Sequence, residues 1–138
     1  MKKLLFAALL MAFSAGTSAA VAIPAELAGI WATEGARFSG EALMQGQALY
    51  LGTDGVGASI GGDGKAVIGI RLDVTAYDPG TQKLLVAYSD QGRVVFRGQL
   101  SYDPIRKILS SNPAPQYQRY FETMSVETRK SLGLDAAR

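Results

Sequence analysis

The residue types best suited to chemistry at neutral pH are absent from this chain, which has no cysteine and no histidine. That removes thiol nucleophiles, thiolate zinc sites, imidazole acid–base groups and the Ser-His-Asp triad. Serines such as Ser39 and Ser59 have no imidazole to activate them. A Ser–Lys pair with Lys65 is conceivable in type, but nothing in the spacing positions it. The glycine-rich run from residue 51 to residue 67 invites comparison with a phosphate loop. Yet Lys65 is followed by Ala66, and the G-x-x-x-x-G-K-[ST] spacing is missing. Asp54 and Asp63 in that run lack the alternating ligand pattern of a calcium loop and read as turn aspartates. Asp73, Asp78, Asp90 and Asp103 are dispersed one per turn or strand face, with no spacing that pairs two carboxylates for acid–base work. The inventory predicts a protein that is not an enzyme, with no catalytic, cofactor-binding or metal-binding residues.

Charge points first toward anionic partners and then away from them. The 138 residues carry a formal net charge of +2, but Lys2 and Lys3 account for all of it. They open a positive start, followed by an apolar run over residues 4–13 and by small residues ending in Ala20-Val21-Ala22. This is the layout of a secretory signal peptide, too short in its apolar part to span a bilayer. Cleavage after Ala20 or after Ala22 fits equally. The expectation is a signal peptide over residues 1–22 and one domain over residues 23–138, exported to the bacterial periplasm or exterior. The exported chain is formally neutral, so it lacks the basic stripe that nucleic-acid binding needs. It is expected to have no transmembrane segment after cleavage. Arg71, Asp73, Arg93 and Arg97 also occupy faces that an outer-membrane barrel would turn to lipid.

The elements that must carry any function read as short strands. In residues 66–77 the even positions Ala66, Ile68, Ile70, Leu72, Val74 and Ala76 are apolar, whereas Arg71, Asp73, Thr75 and Tyr77 alternate with them. Residues 83–89 and 93–102 repeat this period of two. Asp78-Pro79-Gly80 and Asp90-Gln91-Gly92 supply tight turns, so these strands are antiparallel neighbours. Tyr77-Asp78-Pro79 and Tyr102-Asp103-Pro104 form a faint repeat, read as recurring hairpin chemistry. Further strands are expected at residues 30–33, 47–51, 56–60 and 116–122, with residues 37–44 either strand or loop. Residues 52–64 hold six glycines in thirteen positions and read as a permissive hairpin. Only the end looks helical, capped by Ser125 and stopped by Gly133. The fold class is therefore all-β: an antiparallel meander of about seven to nine strands that hides its edges by closing into a small barrel. A two-sheet sandwich is the alternative, and a short C-terminal helix lies near residues 125–133.

Leu27-Ala28-Gly29-Ile30-Trp31 resembles the G-x-W start of lipocalin-like (calycin-type) barrels. The resemblance implies that Trp31 closes the barrel bottom and that an arginine of a late strand, Arg119 in Tyr117-Gln118-Arg119-Tyr120-Phe121, packs across it. The same opening is also similar to that of bacterial periplasmic protease inhibitors, which usually carry a cysteine pair this chain lacks.

The inward positions Ile68, Ile70, Leu72, Val74, Leu84, Val86, Val94, Phe96 and Leu100 are wholly apolar. They either fill the barrel or line a pocket for an apolar molecule, Ile68, Ile70, Leu72, Phe96 and Leu100 being the candidate ligand-facing set. With no catalytic groups, function is expected on loops and edges. The candidate partner loops carry Asp54, Gly55, Asp63, Gly64 and Asn112, with Tyr117, Tyr120 and Phe121 as a second surface. The sequence thus points to a protein-interaction module of the envelope or exterior, an inhibitor or protector of an envelope enzyme. The alternative is a lipocalin-like carrier of a small apolar ligand.

Overall fold

A computed structural model describes residues 20–111 and 114–134. The expected signal peptide falls almost wholly outside them, as does Asn112. Among the described residues nine strands follow in order: β1 (Gly29–Ala32), β2 (Arg37–Ser39), β3 (Ala42–Leu51), β4 (Val56–Asp63), β5 (Val67–Asp78), β6 (Lys83–Asp90), β7 (Arg93–Asp103), β8 (Ile108–Ser111) and β9 (Gln116–Phe121). A 3₁₀ turn (Ala25–Leu27) precedes them and a short helix α1 (Val126–Ser131) follows. All pairings are antiparallel. From β3 to β9 each strand neighbours the next, and β1 pairs with β9 on one edge and β3 on the other. Eight strands therefore close into a barrel. The ninth, β2, continues the direction of β1 after a turn and pairs with the first residues of β3.

The turns follow from local chemistry. The Tyr-Asp-Pro repeat is one turn used twice: the Asp78 carboxylate accepts from Gly80 N–H, and the Asp103 carboxylate accepts from Ile105 and Arg106 N–H. Four residues beyond each aspartate, Gln82 and Lys107 adopt positive φ and their N–H groups donate back to the Asp78 and Asp103 carbonyls. The β4–β5 turn is held the same way, with Asp63 accepting from Lys65 and Ala66. Residues 52–64 are not one hairpin. Their centre is the strand β4, and the glycine-rich turns at its two ends lie at opposite ends of the barrel. The alternation of β5 also changes phase at a bulge between Val74 and Ala76, so Tyr77, opposite the fully buried Leu84, takes the inward place expected for Ala76.

Two apolar clusters sit on opposite faces of the closing strands. The interior holds Trp31, Leu49, Leu51, Leu72, Val74, Leu84, Val86, Leu100, Tyr102 and Leu109, with Ile23 and Leu27 beneath. The outer cluster holds Ile30, Ala32, Leu43, Ala48, Tyr50, Val56 and Ala58, covered by Leu134 and flanked by Met124 and Leu132. β1 is consequently buried on both faces and shows no alternation, as a doubly covered strand must. The helix is fastened where the sequence suggested. Ser125 Oγ accepts from Thr128 N–H, and Gly133 at φ +73° turns the chain so that Leu134 reaches the sheet. Glu41 joins it to the β2–β3 turn by accepting from Ser125 N–H and Thr128 Oγ1. Those donors hold its carboxyl below the ordinary range against the opposing effect of partial burial.

Glycine is essential at Gly57, where a Cβ would lie 1.8 Å from the Tyr50 carbonyl oxygen of the paired strand β3; at Gly61 nothing lies within 4 Å. Gly57→Ala is expected to destabilise the fold by about 2–3 kcal/mol, and Gly61→Ala by less than about 1 kcal/mol. Urea unfolding followed by circular dichroism measures both.

Candidate functional site

The barrel has one closed end and one open end, and the candidate residues divide between them. At the closed end Trp31 is fully buried and its indole N–H donates to Leu27 O at 3.0 Å. The Tyr102 ring meets it edge-on at 5.9 Å. Arg119, opposite Trp31 in the β1–β9 ladder, places its guanidinium carbon 5.8 Å from the indole centroid. The same guanidinium donates to the carbonyls of Ala28, Ala25 and Glu122 at 3.1, 2.7 and 3.0 Å. It thus binds the 3₁₀ turn, the start of β1 and the end of β9 into one plug. Gly29 has φ +115°, and a Cβ there would lie 2.3 Å from the Phe121 carbonyl oxygen, so the first residue of G-x-W must be glycine.

Two of the candidate partner residues are engaged at this closed end. Asp54 makes a two-point ion pair with Arg129 of α1 (3.1 and 3.4 Å) and accepts from Val56 N–H. These contacts outweigh burial and hold its carboxyl below the ordinary range. Gly55 lies against the backbone of Val21, whose N–H donates to Val74 O. Both residues serve the fold. Asp63 and Gly64 stand instead on the turn at the open end.

The five candidate ligand-facing residues split by height. Leu72 and Leu100 are fully buried in the filled lower barrel. Ile70 is half-buried above them, whereas Ile68 is 81% exposed and Phe96 62% exposed at the open end. The split arises because the hairpins β4–β5 and β6–β7 outrun their neighbours. β5 has no pairing with β6 above Arg71, and β8 pairs with β7 only from Leu100 to Asp103. Residues on the inward side of these projecting ends have no opposite wall. Val94 is displaced from the expected inward row by a register shift and faces Ser89 across the ladder. A depression of about 470 Å³ is bounded here by Gln47, Ser59, Gly61, Ile68 and Ile70.

Polar groups that the sequence reading did not assign to this interior also face it. Ser59 pairs with Ile70 and Ser111 with Leu100, so both share the inward side. Tyr117, 5% exposed, packs in the interior cluster with half-buried Tyr88, whose ring meets Phe96 at 5.6 Å. Among the described residues neither the Tyr88 nor the Tyr117 hydroxyl has a hydrogen-bond partner. Burial, reinforced by Tyr88, pushes the Tyr117 phenol up to about 12, so it stays neutral and able to donate. Period-two placement alone could have found Ser59 and Tyr117 once the strand partners were known.

Among the described residues the acidic side chains do not converge. Asp73 pairs with Arg71 at 3.2 Å, and Asp63, Asp78 and Asp103 are held by turn amides. Among the described residues no group of three acidic side chains is placed to hold a metal ion, and no helix is long and apolar enough to cross a membrane. In comparisons with known proteins, no family model, no curated protein and no solved structure matches this chain.

Two expectations follow. Arg119→Ala removes three carbonyl contacts and the indole contact, and is expected to cost about 2–4 kcal/mol in urea unfolding. The emission of Trp31, the single tryptophan, reports the same transition. Tyr117 has a folded pKa above its ordinary value of 10.0. Its contribution to stability is therefore complete below pH 10 and lost as pH rises toward about 12. Denaturant midpoints across that window should fall less steeply for Tyr117→Phe than for the wild type.

Proposed function

We propose that this chain is an exported, lipocalin-like barrel that works without catalysis as a protein-interaction module, with its contact surface at the open end. The observation that carries the reading is the concentration of exposed apolar side chains on the two projecting hairpins: Val67 and Ile68 on β5, and Val94, Val95 and Phe96 on β7. Large apolar groups gathered on one rim are characteristic of contact sites. The lower barrel is occupied by its own side chains, which favours a function outside the interior over one within it. Trp31 and Arg119 at the closed end support the lipocalin-like assignment, and the leader-like first residues support export to the periplasm or exterior. The seat of Val21 against Val74 and Gly55 favours cleavage after Ala20 over cleavage after Ala22. An envelope enzyme inhibited or protected by the module is the partner class that this location suggests.

A second reading, carriage of a small apolar ligand, is favoured by one specific observation. The Tyr88 and Tyr117 hydroxyls, without a hydrogen-bond partner among the described residues, would give such a ligand a polar anchor above the filled floor.

Photo-crosslinking separates the readings. With a benzophenone amino acid at Val95, the producing cell is expected to yield a discrete adduct of protein mass. The same probe at Ile105, exposed on the β7–β8 turn of the closed end, should yield none. Adducts from both positions, or from neither, reject the rim as the contact surface. A lipid-sized mass on the purified protein, with no adduct at Val95, supports carriage instead.

A further inference from the structure

The open end also contains an unused sheet edge. β7 runs from Arg93 to Asp103, but β8 covers it only from Leu100 onward. Over residues 93–99 its ladder is to β6 alone, and among the described residues no backbone hydrogen bond reaches the other side. An antiparallel strand points alternate N–H and C=O groups to each side, so this edge offers a row of unmatched backbone donors and acceptors. Arg93, opposite Asp90, and Arg97, opposite Ala87, are exposed along it on the two faces that the register shift between them separates, and among the described residues neither guanidinium makes an ion pair or hydrogen bond. Val95 and Phe96 are exposed between them.

We infer that this edge accepts an extended acidic–apolar segment of a partner protein as an added antiparallel strand, with one carboxylate on each face of that strand, one meeting Arg93 and the other Arg97. The inference rests on the reading of the open end as a protein-contact surface and adds the mode and the chemistry of the contact. Charge decides among occupants. A second copy pairing edge to edge would gather four guanidinium groups along one ladder, a repulsive arrangement. The chain's own first residues carry Lys2 and Lys3 and no carboxylate. Its last four residues begin beyond Leu134, which is fastened on the outer face of β1, β3 and β4. Arginines on an edge are also how sheets resist pairing with their like. Here the same charges leave the edge open to a partner of opposite sign.

The test titrates the protein, as recovered from the producing cell, with the six-residue peptide valine–glutamate–valine–valine–glutamate–valine, whose two carboxylates fall on opposite faces of a strand. Its valine–lysine counterpart is the control. Nuclear magnetic resonance is expected to show shifts and slowed amide exchange at alternate positions within residues 93–99 for the acidic peptide only. Arg93→Glu combined with Arg97→Glu should weaken that binding about tenfold and admit the lysine peptide. Equal binding of both peptides, no binding, or shifts confined to Ile68 and Tyr117 overturn strand addition. A crosslinked partner at Val95 together with any of those results leaves the open-end reading standing and rejects only this mode.

Discussion

Closure of the sheet rests on four residues. β1 is only Gly29–Ala32 long, yet it supplies the ladder to both β9 and β3, and without it the meander would have two open edges. A short strand makes few hydrogen bonds, so its placement must be reinforced from outside. Arg119 does this by collecting three carbonyls from three segments around the Trp31 ring. Cationic donors to carbonyls make stronger hydrogen bonds than neutral ones, and here the cation is fixed by the ring beneath it.

Packing on both faces of the closing strands completes this. The interior cluster and the outer cluster share β1 and β3 as their common wall, and the C-terminal segment is the cover of the outer one. The Asp54–Arg129 pair and the Glu41 contacts tie that cover to the turns at either end of β3. The closed end is therefore consolidated from several directions. The hairpins at the open end have only their own ladders, so exposed apolar side chains and an unmatched edge are concentrated there.

Much of the strand content was legible in the chain because β5, β6 and β7 alternate cleanly and are joined by turns with their own chemistry. β3 was legible only in its second half. Gly46, at φ +106°, and the glutamines beside it interrupt the apolar rhythm over residues 42–47. The outer cluster was hidden for the opposite reason. Ile30-Trp31-Ala32 and Ala48-Leu49-Tyr50-Leu51 are apolar at consecutive positions, which marks burial on both faces but does not say what covers the second. The candidate surface was less legible still. Asp54 and Asp63 are alike in sequence, both aspartates beside glycine in a turn, yet one is locked to Arg129 and the other stands at the open end.

By itself the sequence determined the absence of imidazole and thiol chemistry, the antiparallel order of the central strands, the N-cap of the helix and the glycine before Trp31. All of these depend on residue type or near-neighbour spacing. Only the tertiary structure decided which inward residues are buried and which are exposed. Leu72 and Ile68 lie four residues apart on the same side of one strand, with the same apolar chemistry. The first is enclosed by opposing strands and the second is not, because strand length and stagger around the barrel are set by pairings between residues far apart in the chain.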